Sequence, residues 1–333
     1  MASATPVVFV GLGPIGRSAL AHALGRRSLR IVAACDADAA LAGRRLRDLV
    51  AGAPRSVRVS PSVAALPKLP RGAVAVVCTS SQVVRARETF EALLSRGLHV
   101  VSSCEELVFP HRRHAAWTRR IDALARRRRV ALLGTGVNPG FVLDLLPALL
   151  SAPCLTIAAV RARRVVDAAT RRGPLQRKVG AGLDESTFRA EVAAGRLGHV
   201  GLPESAGLLC AAFGFGRPRI EQSIDPVTAR AAIETPFVRV EPGQVAGIDH
   251  RLVATAPRGR VELRLQMYLG APDPADEIEI DGDPPMRARL EGGTPGDLAT
   301  VAALLNAAPA MHRLAPGLRT VLDGPVPLCR ALA

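Results

Sequence analysis

The sequence predicts an α/β protein in two parts: a doubly wound parallel sheet, then a second α+β domain with a mixed, largely antiparallel sheet. Three observations lead there. Short apolar runs alternate with segments of helical spacing over the first 140 residues, as in a parallel sheet covered on both faces. After about Gly140 the pattern shifts to longer strands, one of them strictly of period two. The chain of 333 residues is long enough for two cores, rich in aliphatic side chains and only 3% aromatic.

Each element has its own signal. Residues 6–10 read as the first strand, 17–24 as the first helix, and 29–35 as the second strand, which ends at Asp36. Residues 73–78 form a short, fully apolar strand. In the helix predicted over 85–96, Phe90, Leu93 and Leu94 share one face and Gly97 closes it. A strand at 99–103, a helix at 115–127 and a strand at 130–133 continue the alternation. Beyond it, 155–166 is strand-like. Val261, Leu263, Leu265, Met267 and Leu269 alternate with Glu262, Arg264, Gln266 and Tyr268 in a half-exposed strand. That strand pairs with 245–256 in a hairpin across Pro257-Arg258-Gly259, and residues 297–307 read as a late helix.

The glycine turn Gly11-Leu12-Gly13-Pro14-Ile15-Gly16 follows the first strand and opens a helix. In that setting the first glycine allows the tight turn, the second lets backbone approach a pyrophosphate, and the third lets the helix pack on the sheet. The helix N-terminus offers free N–H groups to phosphate, and Arg17 adds a charge there. Asp36 follows Gly16 by 20 residues, where a carboxylate accepts from a ribose 2′-hydroxyl. These features predict a Rossmann unit holding NAD or NADP. Asp36 favours NAD because it repels a 2′-phosphate, while Arg44 and Arg45 offset that repulsion. The first domain is expected over 1–140, with 295–333 returning to it. The second, over 141–294, is expected to carry substrate binding and dimerisation.

Chemistry in such a sheet lies beyond the C-terminal strand ends. Three segments reach that edge: Thr79-Ser80-Ser81, Ser102-Ser103-Cys104-Glu105-Glu106, and the loop from Gly134 to Phe141 with Asn138 in it. Thr79, Ser80, Ser81 and Asn138 are read as cofactor contacts. Asn138 either holds the nicotinamide amide or stabilises its turn.

Several segments resemble one known family. The stretch from Ser102 to Pro110 (SSCEELVFP) and that from Gly134 to Pro147 (GTGVNPGFVLDLLP) are similar to signatures of the 2,4-diaminopentanoate dehydrogenase and native amine dehydrogenase family. Further similar segments run over 165–182, 198–205 and 292–306. The resemblance implies oxidative deamination of a small primary amine, reversible as reductive amination of a ketone or aldehyde with ammonia. It implies a homodimer, and one reacting glutamate, carried onto Glu105 with Glu106 as the alternative holder. Phe141, Val142, Thr170 and His199 are read as lining the substrate pocket, with a hydrogen-bonded core histidine as the alternative for His199. The paired-histidine and lysine motif of dihydrodipicolinate reductases, which share the N-terminal architecture, is absent.

A carboxylate at the nicotinamide face makes chemical sense without the family. It binds an ammonium, takes its proton and stabilises the iminium that follows. Two alternatives stay open: a diamino-acid dehydrogenase of the 2,4-diaminopentanoate type, and a protein that binds NAD(H) without turnover. Arg161, Arg163, Arg171 and Arg172 are read mostly as an outward face, with a clamp for a substrate carboxylate as the alternative.

The remaining features exclude function classes. The formal charge of +15 is almost all arginine, the only lysines being Lys68 and Lys178, and no aromatic-basic platform accompanies it. Nucleic acid is therefore not an expected partner. Residues 145–160 are the longest weakly charged stretch, but Pro147 and Pro153 interrupt it and it is too short for a membrane span. Six scattered cysteines without a CxxC pair fit free thiols in a cytoplasmic protein. His111 and His114 are spaced for one helix face, but nothing completes a metal set, so they are read as surface residues.

Overall fold

The computed structural model describes residues 4–326, 328 and 329. The chain divides into two compact units: Val142–Thr294, and the residues up to Phe141 together with those from Pro295 onward.

The first unit opens with β1 (Thr5–Val10), α1 (Pro14–Leu24), β2 (Leu29–Cys35) and β3 (Val59–Ser60). It continues with β4 (Val74–Val77), α2 (Val83–Ser95), β5 (His99–Ser102), α3 (Ala115–Arg128) and β6 (Ala131–Gly134). The second unit contains α4 (Leu145–Leu150), β7 (Thr156–Asp167), α5 (Gly173–Lys178), α6 (Glu185–Ala193) and α7 (Leu202–Ala212). Its remaining strands are β8 (Arg219–Thr228), β9 (Ile233–Glu234), β10 (Arg239–Val240), β11 (Val245–Ala256), β12 (Gly259–Tyr268), β13 (Ala275–Asp283) and β14 (Met286–Glu291). The chain then returns to the first unit with α8 (Gly296–Ala307) and β15 (Gly317–Arg319).

The first sheet has the order β15-β6-β5-β4-β1-β2-β3 with every pair parallel. Alternate residues of each strand point to opposite faces, and both faces are apolar. Val7, Phe9, Val74, Val76 and Leu133 join Leu20 of α1 and Leu304 and Leu305 of α8 in one core. Val8, Val10, Ala75, Val77 and Leu132 join Phe90 and Leu94 of α2 and Ile121 of α3 in the other. This is why the strands read as unbroken apolar runs.

Element ends differ from expectation for local reasons. Helix α1 starts at Pro14, three residues before the predicted start, because proline fits the first helical position and Gly13 caps it. Helix α3 ends on Arg129 in the left-handed region (φ 57°), and Val130 donates back to Ala125, so β6 starts one residue later than predicted. His111 and His114 do not share a helix face: His111 lies in the preceding turn and His114 is the residue before the first turn of α3.

The second unit holds a mixed sheet of order β14-β13-β7-β12-β11-β8. β7 pairs parallel with β12 and antiparallel with β13, and β11 with β12 is the expected hairpin, closed by Pro257 and Arg258. Helix α7 packs on β11 and β12, α4 on β13, and α6 on β8. The other face carries charge: Arg161, Arg163, Arg264 and Arg289 alternate with Glu262 and Glu277 around a groove of about 680 Å³.

Candidate active site

Because the first sheet is parallel, its C-terminal strand ends share one edge, and the strand order reverses direction between β1 and β4, where such sheets bind ligands. Backbone hydrogen bonds continue past the strands along this edge. Thr135 donates to Ser102, Ser103 to Val77, Cys78 to Val10, Gly11 to Cys35 and Asp36 to Ser60, all within 2.8–3.1 Å. The loops after five neighbouring strands therefore start from one fixed line. The glycine turn, Asp36, Thr79–Ser81, Glu105 and Asn138 all follow that line. Asp36 follows β2 and Glu105 follows β5, strands three spacings or roughly 14 Å apart, with the glycine turn after β1 between them.

Two of the three glycines are dictated by the protein itself. A Cβ on Gly11, at φ +88°, would lie 2.6 Å from the Cys78 carbonyl oxygen, and one on Gly16 would lie 1.9 Å from that of Gly11. Gly13 differs. Its backbone is ordinary (φ −67°, ψ −173°), and a Cβ there would meet nothing within 4 Å. Gly13 and Pro14 are exposed, α1 has no acidic residue in its first turn, and no side chain caps it. An uncapped helix start beneath open space at a glycine fits a pyrophosphate. Arg17 folds back over this turn, its Nε donating to the Leu12 carbonyl at 2.7 Å, and Ile15 packs against the first core.

Asp36 fastens the turn to β2. Its Oδ2 accepts from the Leu12 N–H at 2.5 Å and its Oδ1 from the Asp38 N–H at 2.8 Å. Each oxygen keeps a second lone pair for a ribose hydroxyl. Arg44 and Arg45 are exposed in the loop beyond. In the next loop the Ser80 hydroxyl accepts from the Gln82 N–H at 3.1 Å.

After β5 the chain enters a 3₁₀ turn, Glu105–Val108. The Ser102 hydroxyl donates to the Val77 carbonyl and accepts from the Cys104 N–H, which fixes the approach to Glu105. The two glutamates differ in setting. Glu106 is buried, and its Oε2 lies 2.8 Å from the Val83 N–H and 3.0 Å from His114 Nε2. Glu105 is partly exposed. Burial pushes the Cys78 thiol up to about 12. Burial together with the nearby charge of Glu105 pushes Cys104 up as well. Neither thiol is a thiolate nucleophile at neutral pH.

The loop after β6 is wound tightly. A Cβ on Gly134 would strike the Leu107–Val108 peptide at 2.6 Å, and Gly140 is at φ +122°. The Val137 N–H donates to the Thr300 hydroxyl of α8 at 3.3 Å, so α8 holds this loop from within its own unit. Sequence reasoning missed Ser102, Glu106 with His114, and Thr300 as anchors. A polar residue at a strand end or beside a helix start is the signal that marks Ser102, Glu106 and His114; Thr300, inside α8, carries none.

The residues expected near the substrate have these places. Phe141 is partly exposed in the first unit. In the second, Val142 is fully buried, so its side chain presents no open surface. Thr170 is exposed, its hydroxyl donating to the Asp167 carbonyl at 3.0 Å, and His199 is partly exposed in the loop before α7. Arg161 and Arg163 lie on the charged sheet face, 3.7 Å from Glu262 and 3.1 Å from Glu277. Among the described residues no group of three or more His, Cys, Asp or Glu is placed to hold a metal ion. Nor is any helix among them long and apolar enough to cross a membrane.

Residues 141–332 match the family described as the 2,4-diaminopentanoate dehydrogenase C-terminal domain. The chain is 28% identical to the curated 2,4-diaminopentanoate dehydrogenase of Acetoanaerobium sticklandii, over 96% of this chain and 93% of that one. Its fold is similar to that of an amine dehydrogenase from Mycobacterium smegmatis, with a TM-score of 0.84 at 23% identity over 98% and 97% of the two chains. It is also similar to a biliverdin reductase from Synechocystis solved with biliverdin and NADP+, with a TM-score of 0.51 at 16% identity over 91% and 90%. A dehydrogenase-type sheet edge, with a family match over more than half the sequence, places this chain in the 2,4-diaminopentanoate dehydrogenase family.

Proposed function

We propose that the protein is an NAD(P)-dependent amine dehydrogenase that interconverts a small primary amine with its ketone or aldehyde and ammonia. Family membership carries the class, an oxidoreductase acting on CH–NH2 groups. The observation that carries the site is the meeting of the glycine turn, Asp36 and Glu105 on one sheet edge, with the Glu106 carboxylate already engaged. Bound nicotinamide supplies the acceptor or donor of hydride. Glu105 binds the substrate ammonium, takes one proton from its nitrogen, and faces the iminium carbon's positive charge as the C–H bond is lost. Water then adds to the iminium, and ammonium leaves as the carbonyl forms. In balance, the substrate ammonium, oxidised cofactor and water give carbonyl, ammonium, reduced cofactor and one proton, which Glu105 passes to solvent. General-base assistance of this kind is worth about 10²–10⁴ in rate. Thr79, Ser80, Ser81 and Asn138 line the cofactor in this reading, and Phe141, Thr170 and His199 face the substrate.

Asp36 supports NAD as the preferred cofactor, with Arg44 and Arg45 leaving NADP usable. The charged outer face of the second sheet supports a homodimer, since rows of arginine and glutamate complement themselves under a two-fold axis. A second substrate reading, a diamino acid, is favoured by the curated relative's name.

An initial-rate panel decides between the substrates: simple ketones and aldehydes with ammonium and NADH or NADPH, against 2,4-diaminopentanoate with the oxidised cofactors. Turnover of uncharged carbonyls is the expected result. Turnover of the diamino acid alone would replace the amine reading, and no turnover on either side would remove both.

A further inference from the structure

We infer that Glu106 is a positioning residue: it locks the Glu105 turn to the cofactor-side loop and so sets where the reacting carboxylate stands. The inference rests on Glu105 being that carboxylate. Helix α2 begins at Val83, and its N-cap Gln82 makes no side-chain cap. The first N–H of α2 donates instead to Glu106 Oε2 at 2.8 Å, a carboxylate reaching in from the loop after the neighbouring strand. The Glu106 backbone N–H donates to the Ser81 carbonyl at 3.2 Å. One residue thus grips both ends of the Ser81–Val83 segment, through main chain and side chain.

The far side of the carboxylate is held as well. His114 Nε2 lies 3.0 Å from Oε2, and Arg113 Nη1 lies 3.9 Å from Oε1. Glu106 is only 6% exposed, and a carboxylate so buried persists where donors and a helix N-terminus meet it. This costs desolvation that an apolar residue would not incur. The return is geometric, because the backbone of Glu105 is held by Cys104 on Ser102 before it and by Glu106 after it. A 1 Å displacement of a reacting group costs on the order of 10² in rate.

The test is a double-variant cycle measured in the reductive amination assay, on the carbonyl of highest rate, with thermal melts of every variant with NADH bound. Glu106→Gln and Glu106→Asp should lower kcat about 10–100-fold while KM for cofactor and carbonyl stays within about threefold. Glu105→Gln should lose more. The double variant Glu105→Gln/Glu106→Gln should be no slower than Glu105→Gln alone, because Glu106 acts only through its neighbour. His114→Gln, which removes one partner and leaves the helix contact, should lose less kcat than Glu106→Gln, and it tests the same lock should the Glu106 variants fail to fold. A Glu106→Gln protein of lowered Tm but unchanged kcat would overturn the positioning role, as would losses that multiply in the double variant. Wild-type kcat in a folded His114→Gln, where the Glu106 variants do not fold, would overturn it too. A Glu105→Gln enzyme of wild-type rate would remove the role of Glu105 on which the inference rests, whereas a wild-type protein without turnover would overturn the proposed function, and the failures are therefore distinct.

Discussion

Gly13 and Gly16 stand three residues apart and answer to different constraints. Gly16 is required by the fold, because its Cβ would overlap the Gly11 carbonyl oxygen; Gly13 has room for a Cβ and ordinary backbone angles. Gly16→Ala should therefore cost several kcal/mol, as overpacking against rigid backbone does, and lower Tm before any ligand is added. Gly13→Ala should leave stability within about 1 kcal/mol while weakening NADH binding at least tenfold, because the new methyl stands where the pyrophosphate must approach. Thermal melts with and without NADH separate the two. Equal binding by Gly13→Ala would remove the phosphate from this turn. At this scale much was legible in the sequence. The glycine spacing and the acid 20 residues on mark the edge because turn chemistry is local. The division of labour between Glu105 and Glu106 was not legible. It depends on Val83, which opens α2, and His114, which precedes α3, and spacing along a chain does not encode their approach to Glu106.

Elements carry a second kind of constraint. His250 sits on β11, almost wholly buried, its Nε2 3.3 Å from the Gln222 side chain. Burial pulls its pKa from 6.5 down to about 4. His99, on β5, is pulled to about 4 by burial and by the charge of His312. Between pH 6.5 and 4 these two histidines take up protons in the unfolded chain but not in the folded one, so their contribution to stability falls as pH falls through that window and is constant below it. For His250 the loss amounts to about 3 kcal/mol. His250→Leu should flatten the slope of unfolding free energy against pH from 6.5 to 4, leaving the part due to His99. An unchanged slope in urea titrations would place the proton uptake elsewhere. Elements with one strong period were legible: the apolar runs of β1, β4 and β6, and the alternation of β12. The pairing of β7 was not, because its parallel partner β12 and antiparallel partner β13 both arrive about a hundred residues later.

For the whole molecule the open sheet face sets the expectation. Arg251 and Arg264 both bond Asp249, while Arg163 and Arg289 both bond Glu277, so the face carries a lattice of ion pairs. Exposed pairs of this kind give little stability alone but strong orientation to a second copy. Sedimentation equilibrium should return a mass twice 34.9 kDa, with Arg163→Glu shifting the protein toward the monomer. A monomeric wild-type protein would place this face in solvent. The route of the chain has a further consequence, for synthesis. The first sheet is not complete until β15 lies against β6, and α8 fills the core beside Phe9, yet the entire second unit is made in between. At 5–20 residues per second, ribosomes leave that apolar face uncovered for roughly 8–30 s. A fragment cut at Phe141 would lack α8 and present the apolar residues that it covers to neighbouring chains.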